Sequence, residues 1–494
     1  MSVIEEPQLA LPPELIIGVP RGEADIPRVM RVYVNRNLRM EDVQLIGFDM
    51  DYTLAIYNQA ELERLSIRLT LEKLVKRGYP EAILGLEYRP EWAIRGLVVD
   101  RPHGNVLKMD RHGHVGRVYH GRRSLTRAER TELYRKERIV LRAPRFEWVD
   151  TLFALPEAVM YVRLVEHFDQ EGTKKDYSAL YQDIRESIDE AHRDDSLKSI
   201  IRADLPRFID ADPNLPATLH RLRSAGRRLF LLTNSLWDYT DAVMRCLLDG
   251  KLPAYSSWRS YFDIIIVGGF KPAFFTEKRP FIELDADTGG EMPHKVQGLH
   301  RGHVYQGGNL PDFERLSGVG GDRVLYIGDH IYGDILRAKK SSVWRTCMII
   351  QELEQELALS ERFADRIKQI DELDRKRRNL EAEIDYQQLV LRRLQKDGEN
   401  GVLDVPKRQV KKLLDEHRAQ LRDVTATLDR LEVEVDSAYN AWWGPLFKEE
   451  NENSRFGEQV EDYACLYTGR VSNFFRYSPL RYFRAPRDKM PHEL

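Results

Sequence analysis

Cysteine is scarce in this chain. Three residues, Cys246, Cys347 and Cys465, are spread over 494 positions without metal-type spacing. That excludes a disulfide framework and favours a reducing compartment. An excess of one charge sign is missing too. With 76 Lys and Arg against 79 Asp and Glu, the formal net charge is −3, so electrostatics makes no case for a nucleic-acid or membrane partner. Long apolar runs are also absent: none approaches the roughly 18 residues needed to span a bilayer. The opening MSVIEEPQLALPPELI places acids and prolines where a signal peptide needs a basic start and an unbroken apolar stretch. The expectation is a soluble cytoplasmic protein. What the chain does have is length, enough for two to four domains and a large core.

Four short apolar runs read as buried parallel strands: VQLIGF, RRLFLLT, FDIIIVGG and DRVLYIG. Helix-like stretches separate them, such as LPATLHRLRSAG, with Gly226 as its stop. This alternation predicts a doubly wound α/β core at 41–55 plus 212–350, preceded by an extension at 1–40. The long insertion at 56–211 carries its own helical segments and a β-like stretch, GNVLKMDRHGHVGRVYHG, and reads as a cap over the strand ends. VWRTCMII reads as a last core strand. Beyond it, 351–440 turns rich in Glu, Lys, Arg, Gln and Leu. Leu373, Leu380, Ile384, Leu391 and Leu394, then Val410, Leu414, Leu421, Val424, Leu428, Leu431 and Val435, follow a three-four spacing around the break KDGENGVLDVP. That pattern predicts a coiled-coil-like helical hairpin. Residues 441–494 are expected to pack back on the core.

In a doubly wound sheet, ligands bind beyond the carboxyl ends of the strands. Those ends carry Asp49 and Asp51, then Thr233-Asn234-Ser235, then Lys271, then Asp329 and Asp334. Two acids closing one buried strand must repel each other unless something offsets them. Phosphoryl transfer supplies a reason. A carboxylate can attack phosphorus, but its charge opposes a phosphate dianion, so a cation must neutralise both. Mg²⁺ suits this, with Asp49 and Asp329 as ligands and Asp334 in support. Lys271 and the Thr233 hydroxyl would hold phosphate oxygens. Asp51 has the place of a general acid and base.

DMDYTL, LLTNS, FKPAFF and YIGDHIYGDIL resemble the four motifs of the haloacid-dehalogenase (HAD) superfamily of phosphohydrolases. The fuller texts VYVNRNLRMEDVQLIGFDMDYTLA, RGLVVD, GNVLKMD, SYFDII and the terminal MPHE resemble one branch, the cytosolic purine 5′-nucleotidases that prefer IMP and GMP. The resemblance implies a HAD-like Rossmannoid core with an inserted cap, and Mg²⁺-dependent hydrolysis of a nucleoside 5′-monophosphate through a phospho-aspartate, with phosphotransfer as a companion activity. Asp49 would be the nucleophile and Asp51 the acid/base. Asp49, Asp51 (by its carbonyl) and Asp329 would hold the metal, while Thr233, Asn234, Ser235 and Lys271 would contact phosphate and ribose.

By the same resemblance, IRESIDEAHRDDSLK in the cap is the substrate-recognition helix. Arg185 and Asp189 would meet the base, with His192 and Lys198 as further contacts. Four apart, Arg185 and Asp189 share a helix face and offer donors and an acceptor to a 6-oxopurine edge. Two departures stand out. Arg122 and Arg123 follow His120-Gly121 where the family carries an aromatic residue and an asparagine at the base pocket, and Arg193 replaces a tyrosine. Arginine there could stack on a purine or bind a second phosphate. The arginines therefore raise the alternative of a phosphatase for a sugar phosphate or doubly phosphorylated nucleotide; a further alternative is a scaffold that docks through the helical hairpin and keeps a vestigial site. Tyr332 and Lys340 resemble part of the family's effector site. Relatives are homotetramers, so a homo-oligomer, dimer or tetramer, is expected.

Overall fold

Strands buried on both faces need apolar residues throughout, and the runs of Val, Ile, Leu and Phe meet that demand. The computed structural model describes residues 25–135, 139–141, 143–173, 175–336, 342–396 and 406–493. It divides into two compact units, one running to Glu354 and resuming at Leu446–Leu494, the other Gln355–Pro445.

The first unit is built on a nine-stranded sheet: β1 (Tyr33–Val34), β2 (Leu45–Phe48), β3 (Arg228–Leu232), β4 (Ile264–Val267), β5 (Phe281–Leu284), β6 (Val304–Gly307), β7 (Val324–Gly328), β8 (Arg345–Ile349) and β9 (Leu466–Thr468). The order is β1-β9-β8-β7-β2-β3-β4-β6-β5. Seven strands run parallel, and β1 and β5 pair antiparallel at the two edges. The four expected runs are the adjacent strands β7, β2, β3 and β4, and VWRTCMII supplies β8. The sheet is wider than expected. β9 comes from the C-terminal segment and β1 from the N-terminal part, in stretches too short to show a pattern. At the centre, Gly47 lets β2 pass the ring of Phe230, which lies 2.0 Å from where a Cβ would stand.

The insertion after β2 contains α1 (Gln59–Lys76), α2 (Arg127–Tyr134), α3 (Leu155–Gln170), α4 (Tyr177–Arg193) and α5 (Ser196–Ala203). The single β-like stretch proves to be part of a five-stranded antiparallel sheet, ordered Arg123–Ser124, Val115–His120, Asn105–Met109, Leu97–Asp100, Phe146–Val149. Helix α4 starts at Asp176, whose carboxylate accepts from the Ser178 and Ala179 N–H groups. It buries Leu180, Tyr181, Ile184, Ile188 and Ala191, the 3.6-residue stripe of an amphipathic helix. Gly226, past the helix Leu215–Ser224, has φ of 80° and closes it as expected.

The second unit is the helical hairpin: α6 (Ala364–Lys396) and α7 (Lys407–Tyr439) pack side by side. Leu380, Ile384, Val410, Leu414, Val424, Leu428, Leu431 and Val435 are buried. The turn-rich break at 397–405 lies outside the described residues. The fold class is thus α/β, a HAD-like parallel core with an inserted cap and a C-terminal helical hairpin. Among the described residues, no helix is long and apolar enough to cross a membrane.

Candidate active site

Phe48 stands opposite Leu231 on one side and Ile327 on the other. Asp49 therefore emerges level with the ends of β3 and β7, beside Thr233 and Asp329. Its N–H still donates to the Ile327 carbonyl at 2.9 Å, so the strand extends into the site. The chain then turns sharply, with Leu54 and Ala55 N–H groups donating to the Met50 carbonyl. Tyr52 in this turn has φ of 55°, a left-handed conformation rare for a bulky side chain and typical of functional loops.

Lys271 holds the acids in place. Its Nζ lies 2.9 Å from Asp49 Oδ1 and 2.7 Å from Asp334 Oδ1, and it donates to the Tyr326 hydroxyl at 2.9 Å. Tyr326 in turn donates to the Leu232 carbonyl. Asp334 fits under β7 because residue 328 is glycine: a Cβ there would stand 2.4 Å from Asp334 Oδ2. Burial pushes Asp49 up to about 7, with Asp334 and Asp51 adding to the effect and Lys271 opposing it. Burial likewise carries Asp329 well above the usual carboxylate range. For Lys271, burial alone would lower the pKa, but Asp334 and Asp49 outweigh it and the ammonium stays charged.

Asp49, Asp329 and Asp334 bring carboxylate oxygens within 4.8 Å of one another, all three buried. Ionised together, three acids would outweigh one ammonium, and the raised Asp49 and Asp329 reflect burial first and then that imbalance. Asp329 Oδ2 is moreover fully buried with no hydrogen-bond partner. A hard divalent cation fits both facts. The Asp51 carboxylate is not part of this group. It accepts from Tyr57 OH at 2.6 Å and Ser235 Oγ at 2.8 Å.

Asn234 is tied to Lys271 in both directions, donating to its carbonyl (2.9 Å) and accepting from its N–H (2.5 Å). Thr233 is fully buried, and its hydroxyl accepts from the Ser235 N–H at 3.1 Å. It does not line the cleft, whereas Asn234, Ser235 and Lys271 do. That cleft, of about 440 Å³, is lined at one end by Asp49, Asp51, Asp329 and Asp334 and at the other by Arg185, Asp189, His192 and Lys198. Every expected site residue except Thr233 thus borders one cavity.

On the cap side, Arg185 Nη1 meets Glu157 Oε2 at 3.1 Å, while Asp189 lies 3.9 Å from Arg185 Nε. Burial pushes Glu157 up to about 7 against the pull of Arg185. His192 stands edge-on to Phe153, and burial lowers it to about 4. Lys198 lies 5.0 Å over the ring of Tyr239, whose hydroxyl meets that of Tyr57.

Three expectations are corrected. Arg122 does not line the cleft; it pairs with Glu166 at 2.7 Å. Arg123 pairs with Glu129 at 2.9 Å, because this edge of the cap sheet faces α2 and α3 rather than the cleft. Arg193 is exposed at the end of α4 and does not line the cleft either. Lys340 lies outside the described residues.

Sequence reasoning missed Arg95. Fully buried, it donates to the Asp329 carbonyl at 2.9 Å and grips Glu352 with two hydrogen bonds of 2.7 and 2.6 Å. Its motif RGLVVD was in view, but Glu352 stands 257 residues away. Tyr57, which fixes Asp51, was missed as well.

Fold and site together define a capped α/β phosphohydrolase of the HAD type. The chain belongs to the 5′ nucleotidase family, whose model matches residues 32–494. A 5′-nucleotidase domain-containing protein of Dictyostelium discoideum is 30% identical over 471 residues, covering 94% of this chain and 74% of its own. Human 5′-nucleotidase domain-containing protein 2 is 30% identical over 482 residues, covering 94% and 85%. Among solved structures, a predicted phosphoglycolate phosphatase from Haemophilus somnus 129pt aligns at 14% identity with a TM-score of 0.26, over 62% of this chain and 85% of its own. CbbY from Rhodobacter sphaeroides aligns at 16% and 0.24, over 62% and 86%. At such scores the fold stands on the strand order itself.

Proposed function

We propose that this protein hydrolyses purine nucleoside 5′-monophosphates, IMP and GMP in preference, to nucleoside and phosphate. The observation that carries the reading is the single cleft lined both by the strand-end acids and by the Arg185–Asp189 face of α4. Mg²⁺ held by Asp49, Asp329 and Asp334, with the Asp51 carbonyl, would offset charge on the nucleophile and the phosphate. Asp49 attacks phosphorus and an Asp49–phosphate bond forms as the bond to O5′ breaks. Asp51, oriented by Tyr57 and Ser235, delivers a proton to O5′. It then takes one from the water that cleaves the acyl phosphate and regenerates Asp49. A nucleoside hydroxyl in place of that water gives phosphotransfer. Lys271 and the Asn234–Ser235 segment hold the phosphate oxygens, with the buried Thr233 hydroxyl bracing that segment. Arg185 donates to the base and Asp189 accepts from it, with His192 and Lys198 beside the ribose and base.

The sugar-phosphate and bisphosphate alternatives drew on Arg122, Arg123 and Arg193, and their positions away from the cleft remove that support. The proposal includes a cytoplasmic setting, in line with three free cysteines, and self-association as a dimer or tetramer. The test is phosphate release from IMP, GMP, AMP, UMP and ribose 5-phosphate with and without Mg²⁺. Preference for IMP and GMP supports the reading. Equal rates on the sugar phosphate would discard the substrate and keep the mechanism, and silence on all five would discard both.

A further inference from the structure

A second cavity, of about 880 Å³, lies in the cap and contains none of the residues of the active-site cleft. Its wall is one face of α2, where Arg127, Arg130, Thr131 and Tyr134 repeat at helical spacing, with Arg135 just past the helix end. The hairpin tip His112-Gly113-His114 closes the other side, and Glu450 is the one acid among the lining residues. Arginines elsewhere on this sheet have carboxylate partners: Arg122 with Glu166, Arg123 with Glu129, Arg145 with Asp100. Arg127, Arg130 and Arg135 have none among the described residues, and the buried Nε of Arg130 makes no hydrogen bond.

Arg127 and Arg135 are exposed and Arg130 is half-buried, so the three guanidinium groups together set up a positive potential that favours an anion between them. The α2 N-terminus is not what attracts it, since that end is closed by a capping box of Thr126 and Glu129. Nor is Tyr134 a free donor, because its hydroxyl donates to Asp100 at 2.9 Å and accepts from Asn105. The binding capacity therefore resides in the arginine forks, which suit bidentate contact with phosphate oxygens. At the rim, His112 and His114 are paired with Glu452 at 3.6 Å and Asp110 at 3.1 Å. The volume is twice that of the substrate cleft, room for a chain of phosphates rather than one.

We infer that the cap carries a second anion site, formed by Arg127, Arg130 and Arg135, that binds a diphosphate or triphosphate group. It is separate from the substrate cleft and does not depend on the nucleotidase reading. Inorganic pyrophosphate, tripolyphosphate and a nucleoside triphosphate are titrated calorimetrically into the metal-free full-length chain. The variants are Arg130→Gln, Arg127→Gln/Arg130→Gln/Arg135→Gln and Glu450→Gln, with thermal melts to confirm folding. Expected are affinity about tenfold weaker for the single arginine variant, none for the triple, and tighter binding for Glu450→Gln. Basal phosphate release stays unchanged in all. Equal affinity for tripolyphosphate and the nucleotide identifies a site that reads phosphate alone, and a stronger nucleotide signal one that also holds the nucleoside. Binding that survives the triple substitution, or fails to tighten in Glu450→Gln, overturns the assignment. Should the triple variant not fold, the single variant and Glu450→Gln decide it by themselves.

Discussion

The two ends of the active-site cleft are built on opposite principles. At the strand ends, Lys271 and Asp49 side chains are 4% and 12% exposed and in direct contact. On α4, Arg185 and Asp189 are 41% and 53% exposed and 3.9 Å apart. The buried end rests on a sheet whose register fixes Asp49, Lys271 and Asp329 together, so charge is desolvated and held where transferred charge must be stabilised. The cap end offers one helix face whose groups keep water and some freedom. Under the proposed function, chemistry is fixed by the core while substrate choice is left to a surface that can adapt. Exposed groups also contribute less each, which orders the effects expected on perturbing them.

The largest effect is expected at the core. Asp49→Asn keeps the shape of the nucleophile and removes its charge, so turnover should fall roughly 10⁴-fold or more. Stability should hold or rise in metal-free buffer, because burial already disfavours the ionised form. Phosphate release and a thermal melt check both halves; release near the wild-type rate would place the nucleophile elsewhere.

Next comes Arg95→Ala. It strips Glu352 of its partner and the Asp329 carbonyl of its donor. Breaking a buried pair from one side costs about 3–5 kcal/mol, and the 28% exposure of Glu352 points to the lower end, about 3. Chemical denaturation measures this, and the activity left should need more Mg²⁺ for half-maximal rate. A loss under about 1 kcal/mol would mean the strand-end cluster does not depend on the cap side of the chain, and the contrast between the two ends would be sharper still.

Asp189→Ala is smaller and selective. Losing one charged hydrogen bond to the base should raise KM for IMP about tenfold, with KM for ribose 5-phosphate nearly unchanged. Equal losses on both substrates would show that α4 does not read the base.

What could be read in advance follows the same division. Asp49, Asp51, Thr233, Lys271 and Asp329 each sit just past an apolar run, so strand periodicity alone brings them to one edge. Arg95 and Glu352 meet only after the chain has folded over 257 residues, and nothing local marks either. β1 and β9 have two and three residues, too few for periodicity to register. Arg122 and Arg123 misled for a related reason. Proximity to His120-Gly121 in sequence suggested the pocket, but an edge strand turns its arginines towards whichever carboxylates the neighbouring helices offer, here Glu166 and Glu129. Pattern locates what strands carry to their ends; it does not locate pairs made by long-range packing.

The smallest effect lies at the cap end and is a matter of pH. His192 is lowered from 6.5 to about 4, chiefly by burial, with Lys198 adding to it, so the folded protein holds it neutral. The unfolded chain takes up a proton near 6.5. The stability this confers is therefore complete above 6.5 and is lost as pH falls from there towards 4. By pH 5 the loss should be about 1–2 kcal/mol, allowing for the partial exposure of the ring. Denaturant titrations at pH 7.5 and pH 5, on the wild type and on His192→Gln, isolate it: the variant should lose less stability on acidification by that amount. Identical pH dependence in the two proteins would mean that water reaches the imidazole freely, and that the cap end is more open than its packing against Phe153 suggests.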